Sequence, residues 1–512
     1  MVNAGERKNI FRYLWDNPQY GMPVLIAVWA LLYFLFGYII SVNGQFGYDG
    51  NYYGTTAKKF YQQVFGGELT FYRIQRIFPS FVINTILTIL SIPKENYFIV
   101  KLWQLYNMVL LLICSILWYG IAKIYELSIR YIWLGFFFAF VNFANLLVTY
   151  WYPVLTDATA FTLGFFLLYF HLKDNLTGKI IVSIIGALTW PSFMYYGILM
   201  IIFPMSSSVV FTEKPGIQKF NILAYLIPFP FLFLSSYYIY KYFAFGQLFP
   251  YVKKAVPFID ILMPLAAVLN YFLMVYIFKT FLPEFGISKY FQLALNLLKG
   301  IKLKNVLISA LMYAAVFIPL SILSNPEAGG QSSSFMKVFY CISLYSTLKP
   351  LGYILVAITC YGPAFILMYF LLSKYKHIAE NLGFGVIVSF IITILLMFTS
   401  ETRLVSNFIP FIVLFSVLVM QELNMSKRLF SVMILFSLIL SKFYIPLNGI
   451  PVESQSAYEF PNQLAFMNTF TFSNVAYYIQ LPIIGFMIIA VLWIIKDDKK
   501  KSGSSEIKTA NH

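Results

Sequence analysis

Two short stretches near the amino terminus concentrate the residues best suited to chemistry. Gly47-Tyr48-Asp49-Gly50-Asn51-Tyr52-Tyr53 sets one carboxylate among tyrosines, and Tyr72-Arg73-Ile74-Gln75-Arg76-Ile77-Phe78-Pro79 sets two guanidinium groups close together. Asp-Gly is a common turn dipeptide, so Asp49 reads either as a solvated turn acid or as a base that takes a proton from an attacking hydroxyl. Arg73 and Arg76 read either as side chains snorkelling from an interface or, on one helical face, as a fork for phosphate oxygens. Tyr48, Tyr52 and Tyr53 are candidate substrate contacts beside the acid.

Two later stretches add to this set. Asp157, in Trp151-Tyr152-Pro153-Val154-Leu155-Thr156-Asp157-Ala158, opens an apolar run. There it, or Thr156, either caps a helix or marks a polar cavity, because an unpaired carboxylate at membrane depth is costly. Ser400-Glu401-Thr402-Arg403 lies between two apolar runs, where Glu401 and Arg403 pair with each other or Arg403 projects toward an anionic ligand. Lys253-Lys254 and Gly329-Gly330-Gln331-Ser332-Ser333-Ser334 read as ordinary loops without nucleotide-loop spacing. Cys114, Cys341 and Cys360, with His171, His377 and His512, are too scattered for a His/Cys metal site or a disulfide framework.

The elements that must hold these residues are membrane helices. Of 512 residues 60% are hydrophobic and 11% charged, against roughly a quarter charged in a soluble domain. Met22 to Val42 and Leu102 to Ile121 each supply the about 20 apolar residues that cross a hydrocarbon core of roughly 30 Å. The first run is full length, follows polar and basic residues and lacks a cleavage motif, so it reads as a retained helix. Apolar runs give an all-α polytopic protein of about 12 to 14 transmembrane helices, centred near residues 32, 111, 140, 164, 184, 197, 232, 270, 314, 362, 391, 412, 437 and 486. Trp190-Pro191 divides the run around Ile184 and Ile198, which reads as a re-entrant hairpin or one kinked helix. Phe81 to Ile92 is too short to span comfortably and reads as an amphipathic helix at the interface.

Net charge is +16, yet no compact basic domain exists to bind a nucleic acid, and the charges are better sorted by side of the membrane. With the amino terminus and the carboxy terminus both cytoplasmic, most of the 36 Lys and Arg fall inside. The outer loops are then Asn43 to Lys101, Tyr150 to Thr156, Tyr242 to Pro257, Asn325 to Pro350, Thr399 to Arg403 and Asn448 to Asn474. The chain divides into a cytoplasmic segment 1–21, a single transmembrane domain 22–495 with its first extracytoplasmic loop at 43–101, and a charged tail 496–512 that reads as disordered.

The order apolar helix, YDGNYY, YRIQRIFP, interfacial helix, long apolar helix, TDATAF resembles the integral-membrane glycosyltransferases of the GT-C type, in particular a bacterial branch with YDGxxY and YRxxRxxxP motifs. The motifs cover the chain to roughly residue 200; helix count and TSETR carry the resemblance beyond. It implies a GT-C-like fold in a bacterial cytoplasmic membrane, a polyprenyl-phosphate-linked sugar as donor, and Asp49 as base or acceptor-positioning group. It also implies Asp157 as the second acid, and Arg73, Arg76 and Arg403 as contacts to the donor phosphate. Where such proteins often carry an arginine on the fifth or sixth helix, this chain has Leu188-Thr189-Trp190-Pro191-Ser192.

The expected activity is hexosyl or pentosyl transfer to a cell-envelope glycan, lipid or protein acceptor on the extracytoplasmic face. A divalent cation, magnesium or manganese, is open, with Asp49 and Asp157 as its candidate ligands. The enzymatic alternative is a polysaccharide polymerase or ligase acting on lipid-linked glycans, which usually places its outer arginines in a large late loop. The non-enzymatic alternative is a lipid or glycan flippase, but no second copy of the YDGNYY region gives the repeated halves common in transporters.

Overall fold

The computed structural model describes residues 10–205, 222–246, 259–282, 287–328, 335–399, 401–445 and 474–509. Lys253-Lys254, Gly329 to Ser334, Ser400 and nearly all of the Asn448 to Asn474 loop lie outside the described residues. Among the described residues the chain is helical throughout, without a strand. Among the described residues seven helices are long and apolar enough to cross a membrane: Pro18–Phe36, Asn96–Ile124, Ile222–Phe245, Ile261–Phe281, Leu303–Leu323, Thr402–Glu422 and Ala476–Asp498. The protein is thus a polytopic all-α membrane protein.

The count of full-length spans is lower than the apolar runs imply, because several runs are broken. The run near residue 140 bends by 63° between Ile129–Phe140 and Ala144–Trp151, and makes an eighth span if the pair is taken as one. The run near 362 breaks at Gly362-Pro363 into Gly352–Tyr361 and Ala364–Phe370. Others, including Asp157–Leu172 and Phe384–Met397, are shorter apolar helices. The carboxy-terminal helix also departs from expectation. It runs over Asn474–Thr509 and so takes in most of the charged tail 496–512.

Trp190-Pro191 is the tip of a hairpin and not a kink. Leu176–Ala187 and Phe193–Ile202 lie antiparallel, with Lys179 Nζ 3.5 Å from the Met200 carbonyl. Ser183 packs where a Cβ on Gly197 would stand. At 1.5 Å per residue these arms are only about 18 and 15 Å long. The tip lands on the first loop, where the Phe78 amide donates to the Leu188 carbonyl at 2.9 Å.

Loop contacts sort the chain into two ends. At one, Ile40 N–H donates to the Trp151 carbonyl and Asn325 N–H to the Leu69 carbonyl, each at 2.9 Å. At the other, His171 Nε2 meets the Leu382 carbonyl at 2.7 Å, Arg130 reaches the Met425 carbonyl, and Trp15 stacks on Trp133.

The first loop folds as helices lying on the membrane domain. Phe78–Ile89 has Pro79 in its first turn and buries Ser80, Ile83, Asn84 and Leu87, one face at helical spacing, while Phe81 and Ile89 are exposed. The helix expected over Phe81 to Ile92 thus forms three residues nearer the amino terminus. Asp49–Lys58 packs on it: Ser80 Oγ donates to the Tyr53 carbonyl and Asn84 Nδ2 to the Ala57 carbonyl, at 2.9 and 2.7 Å. Gly50 lets this helix close on the Tyr150 to Thr156 loop, because an added Cβ would lie 2.5 Å from the Val154 carbonyl oxygen. Gly50→Ala should destabilise the protein by about 1–3 kcal/mol through overpacking, read as a lowered melting midpoint of the purified protein. An unchanged midpoint would show that this contact is loose.

Candidate functional site

The turn Thr402–Phe408 places Arg403. Ser406 Oγ donates to the Arg403 carbonyl at 2.6 Å and lies 3.0 Å from the Tyr361 hydroxyl. Trp190, from the hairpin tip, donates its indole N–H to the Leu404 carbonyl at 3.2 Å. Beneath the turn, Gly164 of the Asp157–Leu172 helix packs so closely that a Cβ would stand 2.2 Å from the Asn407 carbonyl oxygen. That contact carries Asp157 toward Arg403.

Held this way, Arg403 meets three carboxylates from three parts of the chain. Its Nη2 pairs with Asp49 Oδ2, its Nε with Glu401 Oε2 at 2.9 Å, and its Nη1 with Asp157 Oδ2 at 3.9 Å. The Arg403 side chain keeps 13% of its surface, Asp157 19% and Asp49 43%, so Asp49 forms the open side. The pairing of Glu401 with Arg403 is realised, and the same guanidinium also reaches Asp49 and Asp157, because its fork has donors enough for several partners. Asp157 is the first residue of its helix, and Thr156 makes no side-chain cap. Neither Asp157 oxygen has a hydrogen-bond partner. The capping reading does not account for the pair.

Arg73 and Arg76 do not share a helical face, since the helix Phe71–Ile74 ends between them. Arg76 is buried, with 2% of its surface exposed. Its guanidinium lies between the rings of Tyr72 and Trp190, at 4.6 and 4.5 Å, and Nη1 donates to the Tyr53 hydroxyl at 2.9 Å. Arg73 is half-buried over the ring of Tyr52, 3.6 Å from its centre. Tyr48 and Tyr52 are exposed and Tyr53 is buried, so Tyr53 holds Arg76 and the other two face outward. All three arginines act on Asp49. Burial pushes its carboxyl up, but Arg403's charge and hydrogen bond, with the charges of Arg76 and Arg73, outweigh burial and hold it below the usual carboxylate range.

Beside Asp157 and Arg403 is a cavity of about 20 Å³, lined also by Asn107, Tyr152, Tyr361 and Ser406, which is room for one water-sized group. Asn107 is buried and donates to the Thr149 and Pro153 carbonyls, while its Oδ1 has no partner. The carboxylates read from sequence as possible metal ligands converge on a guanidinium instead. Among the described residues no group of three His, Cys, Asp or Glu is arranged to hold a metal ion, and as the pair stands each acid faces the positive charge of Arg403.

No protein-family model matches the chain, and no curated protein or solved structure matches it. The site thus rests on its own geometry. Residues that sequence reasoning passed over are Trp190, Tyr152 and Tyr361. Trp190 stood in the sequence as the absence of an arginine, whereas in the fold it stacks on an arginine supplied from the first loop. The available signal was Trp-Pro in the middle of an apolar run. Tyr152 accepts the Gly50 N–H at 3.0 Å, which fastens the first loop beside Asp49.

The Asp49 pairing has a definite pH dependence. Its pKa is lower in the folded site than the reference of about 3.9. The stabilisation is therefore present above the unfolded pKa and lost as pH falls through the folded one. Hydrogen exchange over residues 49–58, corrected for intrinsic rates, should stay constant through neutral and mildly acidic pH and rise only below about pH 4. Asp49→Asn should show faster exchange through neutral and mildly acidic pH, with the difference from wild type closing as Asp49 protonates. Opening of the wild-type loop near neutrality would contradict the ion pair.

Proposed function

We propose that the protein is a GT-C-like membrane glycosyltransferase that moves a sugar from a polyprenyl-phosphate donor to an acceptor hydroxyl on the extracytoplasmic face of a bacterial cytoplasmic membrane. The acceptor is a cell-envelope glycan, lipid or protein. The observation that carries the reading is the meeting of Asp49 and Asp157 on Arg403, with Arg73 and Arg76 beside them, at the end of the helical domain where the first loop lies on it.

The chemistry asks for little beyond positioning and charge. A lipid phosphate is already a usable leaving group, so the protein must orient the acceptor and stabilise the phosphate as the bond to the anomeric carbon breaks. In this reading the donor phosphate takes the two Nη groups of Arg403, with Arg73 at its outer side, while Nε keeps Glu401. Asp49, released from Arg403, accepts the proton as the acceptor oxygen bonds to the anomeric carbon. The displacement is single and inverts the sugar. Arg76, enclosed by rings, holds positive potential over the site, and Asp157 orients the acceptor beside the small cavity. Exposed Tyr48 and Tyr52 offer ring faces to a sugar. The wider set of aromatic side chains is explained by lipid contact and the interface.

Removing the base should cost at least about 100-fold in rate. Asp49→Asn should lose that much sugar transfer in isolated membranes at wild-type expression, and full activity would exclude Asp49 as the base. Arg73→Glu should raise the apparent KM for the lipid-linked donor with a smaller change in kcat. An unchanged KM would mean that Arg73 only covers Tyr52.

A further inference from the structure

We infer that Arg403 is itself the resident cation of this site, and that Asp49 and Asp157 do not hold a divalent ion in the working protein. The inference concerns ion binding alone and is independent of which group is transferred. Two carboxylates brought from distant parts of a chain to one point ordinarily suggest a metal. Here their oxygens, and that of Glu401, are each directed at a different nitrogen of one guanidinium. A divalent ion bridging the Asp49 and Asp157 oxygens that face Arg403, at roughly 2.0–2.6 Å, would compete with that group for them.

Three features keep the guanidinium there. Glu401 holds Nε at 2.9 Å, so Arg403 cannot leave the carboxylates without breaking its own neighbour's pairing. The backbone at and just after Arg403 is fixed by Ser406 on the Arg403 carbonyl and by Trp190 on the Leu404 carbonyl. The side chain is largely buried, with 13% exposed, so an incoming ion would have to desolvate against a fixed positive charge. Arg73 and Arg76 add to that charge, and both act on Asp49. A guanidinium stays ionised throughout the physiological range and is covalently attached. The site therefore carries its cation at every metal concentration, and its two Nη groups present paired donors to an oxyanion, which suits phosphate.

The prediction is that the acids become a metal site once the guanidinium is gone. Manganese binding would be measured by electron paramagnetic resonance on the purified full chain. Wild type and Asp157→Asn should bind manganese equally weakly. Arg403→Gln, which removes the charge and shortens the side chain while keeping it polar, should bind it roughly tenfold tighter or more, and adding Asp157→Asn to that variant should remove the gain. A wild-type manganese site that Asp49→Asn or Asp157→Asn abolishes would overturn the inference. So would an Arg403→Gln protein that elutes and melts like wild type yet gains no manganese. Should Arg403→Gln fail to fold, the wild-type comparison decides, with Arg403→Lys, expected to bind no manganese, as the second variant.

Discussion

The guanidinium of Arg403 is the point on which this structure turns. Carboxylates near a bilayer are tolerated only when paired or hydrated, and breaking a largely buried pair costs roughly 3–5 kcal/mol, less where a partner reaches water. Asp157 and Arg403 are largely enclosed, and Asp49 is the more open partner. One arginine thus makes tolerable the presence of Asp49 from the first loop, Asp157 from an apolar helix and Glu401 from its own turn. The charges also join parts of the chain far apart in sequence: the loop is fastened to the membrane domain by the same interaction that assembles the site.

The surrounding elements serve that meeting point. Gly50 and Gly164 remove side chains where backbones must approach, one between the first loop and the Tyr150 to Thr156 turn, the other between the Asp157 helix and the Arg403 turn. The Trp190 hairpin touches both arginine sites at once, stacking on Arg76 and holding the Leu404 carbonyl. Arg76 in turn is held by Tyr53 of the YDGNYY stretch. A change at the hairpin tip would therefore displace two positive charges belonging to different loops, although Trp190 itself carries none.

Much of this was legible from residue types. Length and apolarity dictate membrane helices, and the acids Asp49 and Asp157, singled out by their places beside apolar runs, do meet, on Arg403. Phe78–Ile89 was legible as a short amphipathic helix because its apolar run is too short to span and one face is buried. What composition could not convey was where apolar runs break. Gly362-Pro363 and the bend after Phe140 interrupt stretches of continuous hydrophobicity, so a count of runs exceeds the count of long helices. The shared face of Arg73 and Arg76 failed for a related reason: the helix stops at Ile74 before Pro79 starts the next. Aromatic enclosure of a buried cation leaves no periodic trace, which is why Trp190 read as a missing charge.

The proposed transfer reaction requires that Asp49 be silent while Arg403 holds it and active once an anionic donor takes Arg403. Such a site would bind its substrate through the same group that restrains its base. The most direct measurement is mass spectrometry of lipid-linked sugars and surface glycans in cells lacking the gene, complemented by wild type or by Asp49→Asn. The account predicts that the deletion loses one sugar from the surface and accumulates its polyprenyl-phosphate form, that wild type restores both, and that Asp49→Asn restores neither. Unchanged glycans in the deletion, or full restoration by Asp49→Asn, would contradict it.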